Sequence, residues 1–251
     1  MKALLLDAGN TRLKWGLLNG NRIGRTGSVT LATIREQGKS VLIRRLPRDV
    51  DAVIASNVAG KVFADGLSAI IRSYNTREVR FVRSSAAACG VVNAYRQPGR
   101  LGVDRWVAMI GARASCAGAC LVVDAGTAVT IDALHADGRH LGGQILPGLM
   151  LMADSLSRNT SDLPASRRGA FSNARVLRPF ARSTAAAIAQ GAVGAVAGAI
   201  ERALRTLEQQ GSKPTLLLTG GDAPLLQKFL AIDAELRPHL VLEGLACLIK
   251  R

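Results

Sequence analysis

The sequence predicts an α/β protein made of two similar lobes. Strand-like and helix-like segments alternate along the 251 residues, and an apolar strand ending in Asp-Ala-Gly occurs twice, at Asp7 and at Asp124. Each copy opens a run of three strands that is followed by helices. A duplicated unit of this kind predicts two lobes, residues 1–115 and 116–251, with a ligand cleft between them.

The first lobe is predicted to begin as a β-meander. Residues 3–7 and 13–18 are strands, because both runs are apolar and are bounded by turn residues. A later turn leads to a short third strand through Ile23. The remaining segments are a helix over 31–45, a buried strand over 51–57, a helix over 60–74, a strand over 78–82 and a helix that starts near Leu101.

The second lobe is predicted to repeat this order. After its Asp-Ala-Gly strand comes a second strand, a turn, a third strand and then helices. The segments are strands over 120–126, 128–134 and 141–146, a helix from Pro147, a long helix from about Thr184, a strand over 214–222 and a helix after Asp222.

Composition indicates a globular chain. It is 48% hydrophobic and 20% charged, which is enough apolar material for a large core. The four cysteines form no CxxC pair, so neither a zinc site nor a disulfide framework is predicted. The apolar run after Met1-Lys2 is too short for a signal peptide, so a cytoplasmic location is expected.

One stretch has the character of a membrane span. Residues 184–200 are uncharged, but they are mostly Ala and Gly and include Gln190. A span needs about 20 predominantly apolar residues. Glycines recur at helical spacing in this stretch, so a buried helix with closely packed neighbours is predicted, and dimer packing there stays open.

The net charge of +15 raises the question of nucleic acid binding. The basic residues are spread along the chain, the nine aromatic residues are few for base stacking, and no Cys/His finger spacing is present. A positive field that attracts phosphorylated or carboxylate ligands explains the charge as well, and nucleic acid is not the favoured partner.

The two Asp-x-Gly turns predict a nucleotide site. A single aspartate of this kind is usually a turn residue, with glycine supplying a positive φ. Here two such turns are equivalent, and Asn10, Thr11 and Thr127 add neutral donors beside them. A carboxylate beside phosphates is repelled unless a cation intervenes, so the pattern favours a magnesium–nucleotide complex.

The arrangement resembles the acetate and sugar kinase, heat-shock cognate protein and actin superfamily, whose duplicated ribonuclease H-like lobes (βββαβα type) bind ATP between two phosphate loops. Within it the chain resembles the type III pantothenate kinases, which include the Bvg accessory factor. The motifs that carry the resemblance, in the family's order, are DAGNTRLKWG from Asp7, NAYRQPGRLGVDRW from Asn93, DAGTAVTID from Asp124, GGQILPGL from Gly142 and LTGGDA from Leu218.

The resemblance implies ATP-dependent phosphorylation of pantothenate to 4′-phosphopantothenate, the first step of coenzyme A synthesis. It implies Asp104 as the base, Asp7 as a ligand of the nucleotide's Mg²⁺, and Asp124 as a ligand of the monovalent cation (K⁺ or NH₄⁺) that many members need. The implied ATP contacts are Asp7, Ala8, Gly9, Asn10, Thr11, Arg12, Leu13, Lys14 and Thr127. The implied pantothenate contacts are Tyr95, Gly102, Val103, Asp104, Arg105 and Thr184.

Two further expectations come from the family. Many relatives have glycine before the tyrosine, and Ala94 stands here, so the loop path is expected to differ slightly. Members are typically dimers, so a homodimer is expected, with no membrane partner.

Considered without the family, the same residues have ordinary roles. A carboxylate at Asp104 is favoured in a first helical turn by the helix dipole. Tyr95 fits a half-buried packing residue, Lys14 a solvated strand residue, and Thr184 a neighbour of a helix N-cap. The LTGGDA motif fits a strand, a glycine turn and an acidic helix start. The resemblance implies in addition that this motif contacts the adenosine of ATP.

Three functions remain to be separated. The favoured one is a small-molecule kinase. The alternatives are a regulatory accessory protein with an idle cleft, and a phosphohydrolase of the same superfamily that uses water in place of a substrate hydroxyl. An idle cleft would be expected to lose Asp7, Asp104 or Thr127, and all three are present.

Overall fold

The computed structural model describes residues 1–38, 40–75, 77–158, 171 and 180–249, and the chain divides into two compact units. The first unit comprises Met1–Ser115 together with the C-terminal segment that begins at His239, and the second comprises Cys116–Pro238. A lobe boundary was predicted after residue 115. The prediction also gave residues 239–251 to the second lobe, and the structure differs there, because the C-terminal helix packs within the first unit.

The first unit follows the predicted strand and helix order. Its elements are β1 (Lys2–Ala8), β2 (Arg12–Asn19), β3 (Arg22–Thr30), α1 (Leu31–Gln37), α2 (Ser40–Arg45), β4 (Ala52–Asn57), α3 (Lys61–Arg72), β5 (Val79–Phe81), β6 (Ala87–Ala88), β7 (Val91–Val92), a 3₁₀ turn (Pro98–Arg100), α4 (Val103–Ser115) and the C-terminal helix α8 (Leu240–Ile249).

The second unit repeats the three-strand opening. Its elements in the described residues are β8 (Cys120–Ala125), β9 (Ala128–Leu134), β10 (His140–Pro147), α5 (Leu149–Arg158), α6 (Thr184–Gln209), β11 (Thr215–Thr219), α7 (Ala223–Leu226) and β12 (Glu235–Leu236).

The two sheets have the same topology. Their strand orders are β3-β2-β1-β4-β5 and β10-β9-β8-β11-β12. In each, the first three strands are antiparallel neighbours, and the first strand pairs in parallel with the fourth. The predicted duplication is therefore confirmed, with β1 equivalent to β8 and β4 equivalent to β11.

Alternation along β1 separates two faces of the first sheet. Leu4 and Leu6 lie in a core cluster with Leu42 of α2 and Leu67 of α3. Successive strand residues point to opposite faces, so Asp7 lies on the other face of the sheet. Helices α4 and α8 both pack against β4, which neighbours β1. This placement sets the carboxylate of Asp7 apart from the α1–α3 core.

Two predicted elements differ in extent from the sequence prediction, and β6, β7, β12 and α8 were not predicted. The single helix predicted over residues 31–45 is two helices, because Gly38 adopts a φ of +71° after α1 and ends it. The third strand, predicted as short, extends over nine residues as β3. Its Gly27 lies against Trp15, and a Cβ there would approach the indole to 2.5 Å.

The C-terminal helix packs on α4 through two glycines. A Cβ at Gly111 would lie 2.3 Å from the carbonyl oxygen of Leu240, and one at Gly244 would lie 1.9 Å from that of Val107. Each distance is far below any tolerated contact, so both positions require glycine. Backbone contact between α4 and α8 is thus the reason why the C-terminal segment belongs to the first unit.

Helix α6 is long and apolar enough to cross a membrane by length and composition alone, which is weak support for a span. One face is buried in the core of the second unit, with Val193, Val196 and Ile200 among its members. Gly191 and Gly194 are exposed on the other face, and a Cβ added at either position would meet no atom within 4 Å. The predicted burial holds for one face of the helix, whereas the close packing predicted at its glycines is not found among the described residues.

The net charge is unequally divided between the units. The first unit carries 21 Lys and Arg against 8 Asp and Glu, whereas the second carries 12 against 10. The excess of basic over acidic residues therefore lies mainly in the first unit. Most of the positive field originates from the first unit, where anionic ligands would be attracted.

Candidate active site

The first Asp-x-Gly loop lies at the carboxyl end of β1. Asp7 is 8% exposed and is in register with Lys14 of β2 and Ser56 of β4. Residues in register on neighbouring strands share a face, so these three side chains lie side by side. A carboxylate, an ammonium and a hydroxyl are therefore grouped beside the loop.

Backbone hydrogen bonds fix the path of this loop. The Gly9 N–H donates to the Arg12 carbonyl over 3.0 Å, and the Thr11 carbonyl accepts from the first residue of α1 over 2.8 Å. The side chains of Asn10, Thr11 and Arg12 remain exposed. The predicted ATP-binding residues 7–14 thus comprise the end of β1, a three-residue turn and the start of β2.

The second loop has the equivalent position in the second sheet. The Gly126 N–H donates to the Ala128 carbonyl over 3.0 Å, so this turn is one residue shorter than the first. Asp124 is in register with Thr130 and Thr219, in the same way as Asp7 with Lys14 and Ser56. Both carboxylates therefore have a hydroxyl residue on the adjoining parallel strand.

Two glycine-rich motifs pack directly on the second loop. A Cβ at Gly148 would lie 2.2 Å from the Gly126 carbonyl oxygen, and the Gly148 N–H donates to the Thr127 carbonyl over 2.9 Å. Gly220 has a φ of +96°, and a Cβ added there would lie about as close to the Ala125 carbonyl oxygen and to Asp124 Oδ1. The structure thus assembles the segments DAGTAVTID, GGQILPGL and LTGGDA around one loop.

The start of α4 carries the predicted base. Asp104 Oδ1 accepts a hydrogen bond from the Arg105 N–H over 2.8 Å, as expected for a carboxylate in a first helical turn. A Cβ at Gly102 would lie 2.7 Å from that oxygen, so a glycine leaves the space that the carboxylate occupies. The predicted substrate residues 102–105 therefore lie together at the N-terminal end of α4.

Tyr95 and Arg105 are also brought together. Arg105 is 5% exposed, its Nη1 donates to the Tyr95 hydroxyl over 2.9 Å, and its guanidinium lies 5.8 Å from the centre of the tyrosine ring. The ring and hydroxyl together fix the plane of the guanidinium. A planar pair of donors held in this way suits a carboxylate or amide oxygen of a ligand.

Thr184 belongs to the second unit. It is the first residue of α6, directly after the N-cap Ser183, as the sequence predicted. It is exposed and lines an apolar surface cavity of about 500 Å³ between α5 and α6, together with Leu151 and Ile188. The predicted pantothenate residues are therefore divided between the units, with Tyr95 and residues 102–105 in the first.

Sequence reasoning missed the hydroxyls of Ser56 and Thr219. Both are buried at the carboxyl ends of the parallel strands β4 and β11, beside the two aspartates. The sequence contained a partial signal, because each hydroxyl residue stands at the polar end of an apolar run. To place these residues beside the aspartates, however, one must know which strands pair, and the paired strands are far apart in the sequence.

The surroundings of Asp124 fit a cation with oxygen ligands. Its carboxylate has the hydroxyl-bearing Thr130 and Thr219 as register neighbours, and Gly220 brings main-chain atoms against Asp124 Oδ1. Across the described ranges, no three His, Cys, Asp or Glu side chains form a metal-binding cluster. Any cation beside Asp124 would depend on hydroxyl, carbonyl or phosphate oxygens in addition to this carboxylate.

The fold is shared with several proteins of known structure. A Baf family protein from Campylobacter jejuni aligns with a TM-score of 0.61 at 22% identity, covering 98% of this chain and 97% of that one. The activator of 2-hydroxyisocaproyl-CoA dehydratase from Clostridium difficile, with bound ADPNP, aligns with a TM-score of 0.54 at 14% identity, covering 99% and 94%. These likenesses define the class as a two-lobed fold of the sugar kinase and actin type.

Sequence similarity identifies the family within that class. The family model for type III pantothenate kinase matches residues 3–206, and the chain belongs to this family. It is 43% identical over 244 residues to the type III pantothenate kinase of Aromatoleum aromaticum, covering 97% of this chain and 96% of the relative. It is 37% identical over 254 residues to that of Nitrosomonas eutropha, covering 98% and 94%. The family phosphorylates pantothenate in the first step of coenzyme A biosynthesis, as the resemblance implied.

Proposed function

We propose that this chain transfers the γ-phosphoryl group of ATP to the hydroxyl of pantothenate, with the two Asp-x-Gly loops at the nucleotide and the start of α4 at the acceptor. The observation that carries this assignment of roles is the cluster of Asp104, Arg105 and Tyr95. It lies in the same unit as the first phosphate loop, in a chain whose family membership fixes the reaction.

The nucleotide is assigned to loop donors from both units. Residues 8–13 and Thr127 offer backbone and side-chain donors to phosphate oxygens, and Lys14 offers a cation. Asp7 is the proposed ligand of the Mg²⁺ that accompanies ATP. That ion would neutralise charge on the phosphates during transfer, and the carboxylate of Asp7 would hold it in place.

Pantothenate is assigned to the face presented by Tyr95 and the start of α4. Arg105 would bind its carboxylate or an amide oxygen, because the guanidinium is already oriented by Tyr95. Gly102 and Val103 would contact the substrate through the backbone. Thr184 is proposed as a further contact, from the second unit.

Asp104 is the proposed base. Phosphoryl transfer passes through a loose transition state in most analyses, so catalysis comes mainly from positioning and charge neutralisation. A carboxylate whose Oδ1 already accepts the Arg105 N–H retains Oδ2 to accept the proton of the attacking hydroxyl. Asp104 would therefore orient that hydroxyl first and take its proton late.

A monovalent cation, K⁺ or NH₄⁺, is proposed beside Asp124. The carboxylate and the neighbouring hydroxyl residues supply oxygen atoms of the kind that such ions prefer. When bound, the cation would offset phosphate charge near the second loop. Titrating K⁺ into enzyme stripped of monovalent ions, with Asp124→Asn as the comparison, tests this assignment.

A cytoplasmic homodimer is the proposed state. The exposed face of α6, with Gly191, Gly194 and Gly198, together with Leu151 and Leu156 of α5, is an apolar surface suited to close packing of a second copy. Sedimentation analysis of the purified protein tests the dimer.

One coupled assay of ADP release separates the alternatives. A pantothenate kinase releases ADP only when pantothenate is present. A phosphohydrolase releases ADP without it, and a regulatory protein with an idle cleft releases none in either case. The proposal is rejected if ADP release is absent or is independent of pantothenate.

A further inference from the structure

The loop that carries Tyr95 is fixed by one amide side chain. The Nδ2 group of Asn93 donates to the Ser85 carbonyl over 3.1 Å and to the Pro98 carbonyl over 3.2 Å. Its Oδ1 accepts the Tyr95 N–H over 3.0 Å. Both donors and the acceptor of the amide are thus engaged with main-chain groups.

These bonds hold together the loop of residues 93–102, which we call the substrate loop. The Pro98 carbonyl also accepts the Leu101 N–H over 3.2 Å, and the Leu101 carbonyl accepts the Ser84 hydroxyl over 2.9 Å. Asn93 therefore connects Ser85, which precedes β6, with Pro98, which lies a few residues before α4. Tyr95 is held at one end of this loop, and Arg105 follows its other end.

Asn93 is also linked, through Tyr95, to the guanidinium of Arg105. The Tyr95 backbone is held by Asn93, and the Tyr95 hydroxyl accepts from Arg105 Nη1 over 2.9 Å. A shift of the tyrosine backbone would move the hydroxyl and disturb one of the contacts that orient the guanidinium. Arg105 is nearly buried, and the Tyr95 hydroxyl is one of the groups that set its direction.

We propose that Asn93 is a positioning residue for pantothenate, acting through Tyr95 to orient Arg105. This inference rests on the pantothenate-binding role proposed above for those two residues. Aspartate at this position would place an oxygen against two carbonyl oxygens, and alanine would remove all three bonds.

The chain provides a matched control. Asn75 has the same bonding pattern in the same unit: its Nδ2 donates to the carbonyls of Arg48 and Val50, and its Oδ1 accepts the N–H of the residue two positions on, Arg77. It lies between α3 and β5, away from the predicted substrate residues. Asn75→Ala should therefore remove similar bonds without disturbing Tyr95.

Steady-state kinetics test the positioning role. Asn93→Ala should lower kcat/KM for pantothenate by about 10- to 100-fold, because small misplacements of binding groups have effects of that size. The KM for ATP should stay within about twofold, and Asn75→Ala should change neither parameter by more than that. Equal losses in the two variants, or equal effects on both substrates, would overturn the proposal. Asn93→Asp, which keeps the volume and the bond from the Tyr95 N–H but loses both donor bonds, should give a smaller loss in the same direction and serves if the alanine variant does not fold.

A double-mutant cycle tests whether Asn93 acts through Tyr95. In a Tyr95→Phe background the hydroxyl bond to Arg105 is already lost, so Asn93→Ala should lower kcat/KM for pantothenate by only about threefold or less. The full loss in that background would mean that Asn93 acts by another route and would refute the inference.

Amide hydrogen exchange tests the same inference without any substrate. Asn93→Ala should speed exchange in the segment 95–105 by at least about tenfold and leave β1 and β4 unchanged, whereas Asn75→Ala should not affect that segment. Unchanged exchange in 95–105 would overturn the positioning role even if turnover fell. If the wild-type protein did not phosphorylate pantothenate but exchange responded locally, the proposed function would fail and the structural role of Asn93 would stand.

Discussion

Replacing Asp104 by asparagine separates the chemistry of this carboxylate from its role in the helix. Within the part of the chain that the structure describes, Oδ1 accepts one bond, from the Arg105 N–H over 2.8 Å, and the asparagine carbonyl can accept it equally. Asparagine has nearly the same volume and fits against Gly102 as the aspartate does. It cannot take a proton at neutral pH, so only the proposed base function is removed.

The two effects differ in size. Loss of the negative charge in the first turn of α4 should lower the free energy of unfolding by about 0.3–1 kcal/mol. For a chain of this length, in which 1 kcal/mol shifts Tm by about 2–4 °C, that is a fall in Tm of about 1–4 °C. Loss of a general base should lower kcat by about 10²- to 10⁴-fold, which raises the activation barrier by about 3–5 kcal/mol. Turnover should therefore collapse while the protein remains folded.

Single-turnover phosphoryl transfer, measured with enzyme in excess over labelled ATP, is the appropriate assay because product release does not affect it. Asp65→Asn is the matched control, since Asp65 is an exposed acid on α3 in the same unit. It should transfer phosphate at the wild-type rate. If Asp104→Asn transferred phosphate within a few-fold of wild type, Asp104 would not be the base, and Asp124 or a water molecule would have to be considered.

Three further predictions concern the other proposed roles. Asp7→Asn should reduce Mg-ATP turnover by about 10²- to 10³-fold at saturating pantothenate, as expected when an electrostatic contact at the reacting phosphate is lost; wild-type turnover would remove Asp7 from the metal site. Arg105→Lys should raise the KM for pantothenate by about 10- to 100-fold, the equivalent of one or two charged hydrogen bonds, and the KM for ATP much less. Equal changes in the two KM values would give Arg105 a structural role instead. Gly194→Ala should stabilise the protomer by about 1 kcal/mol, because alanine favours a helix and the site has open space, yet weaken the dimer about tenfold in a sedimentation measurement; an unchanged dissociation constant would move the dimer interface away from α6.

Local pattern was enough for most of the fold. Apolar runs bounded by turn residues predicted β1, β2, β4 and β8, because strands that are buried on both faces consist almost wholly of apolar residues. Where the pattern was weak, prediction failed. The mostly polar and glycine-containing β3 was predicted as short, and the break at Gly38 was missed because helical periodicity continues through it.

The sequence predicted individual residues of the candidate site but not how distant segments bring them together. Asp7, Asp104 and Asp124 could be proposed from sequence because each stands in a short motif with fixed spacing. Ser56 was not found, because its place beside Asp7 depends on pairing between strands that are far apart in the sequence. Asn93 appeared only as one letter of a motif, since its role lies in hydrogen bonds to the main chain of other loop residues.

By itself the sequence determined the duplicated α/β units, the two aspartate loops and the family to which the chain belongs, since these depend on short-range order and on motifs. Only the tertiary structure decided that the C-terminal helix completes the first unit, because that depends on the close backbone approach of α4 and α8 at Gly111 and Gly244, which no local pattern specifies. It also decided that Gly148 and Gly220 must lack side chains, since the carbonyl oxygens that exclude a Cβ come from the loop around Asp124. Close approach of distant backbone segments is a property of the packed chain, and a linear sequence does not record which segments meet.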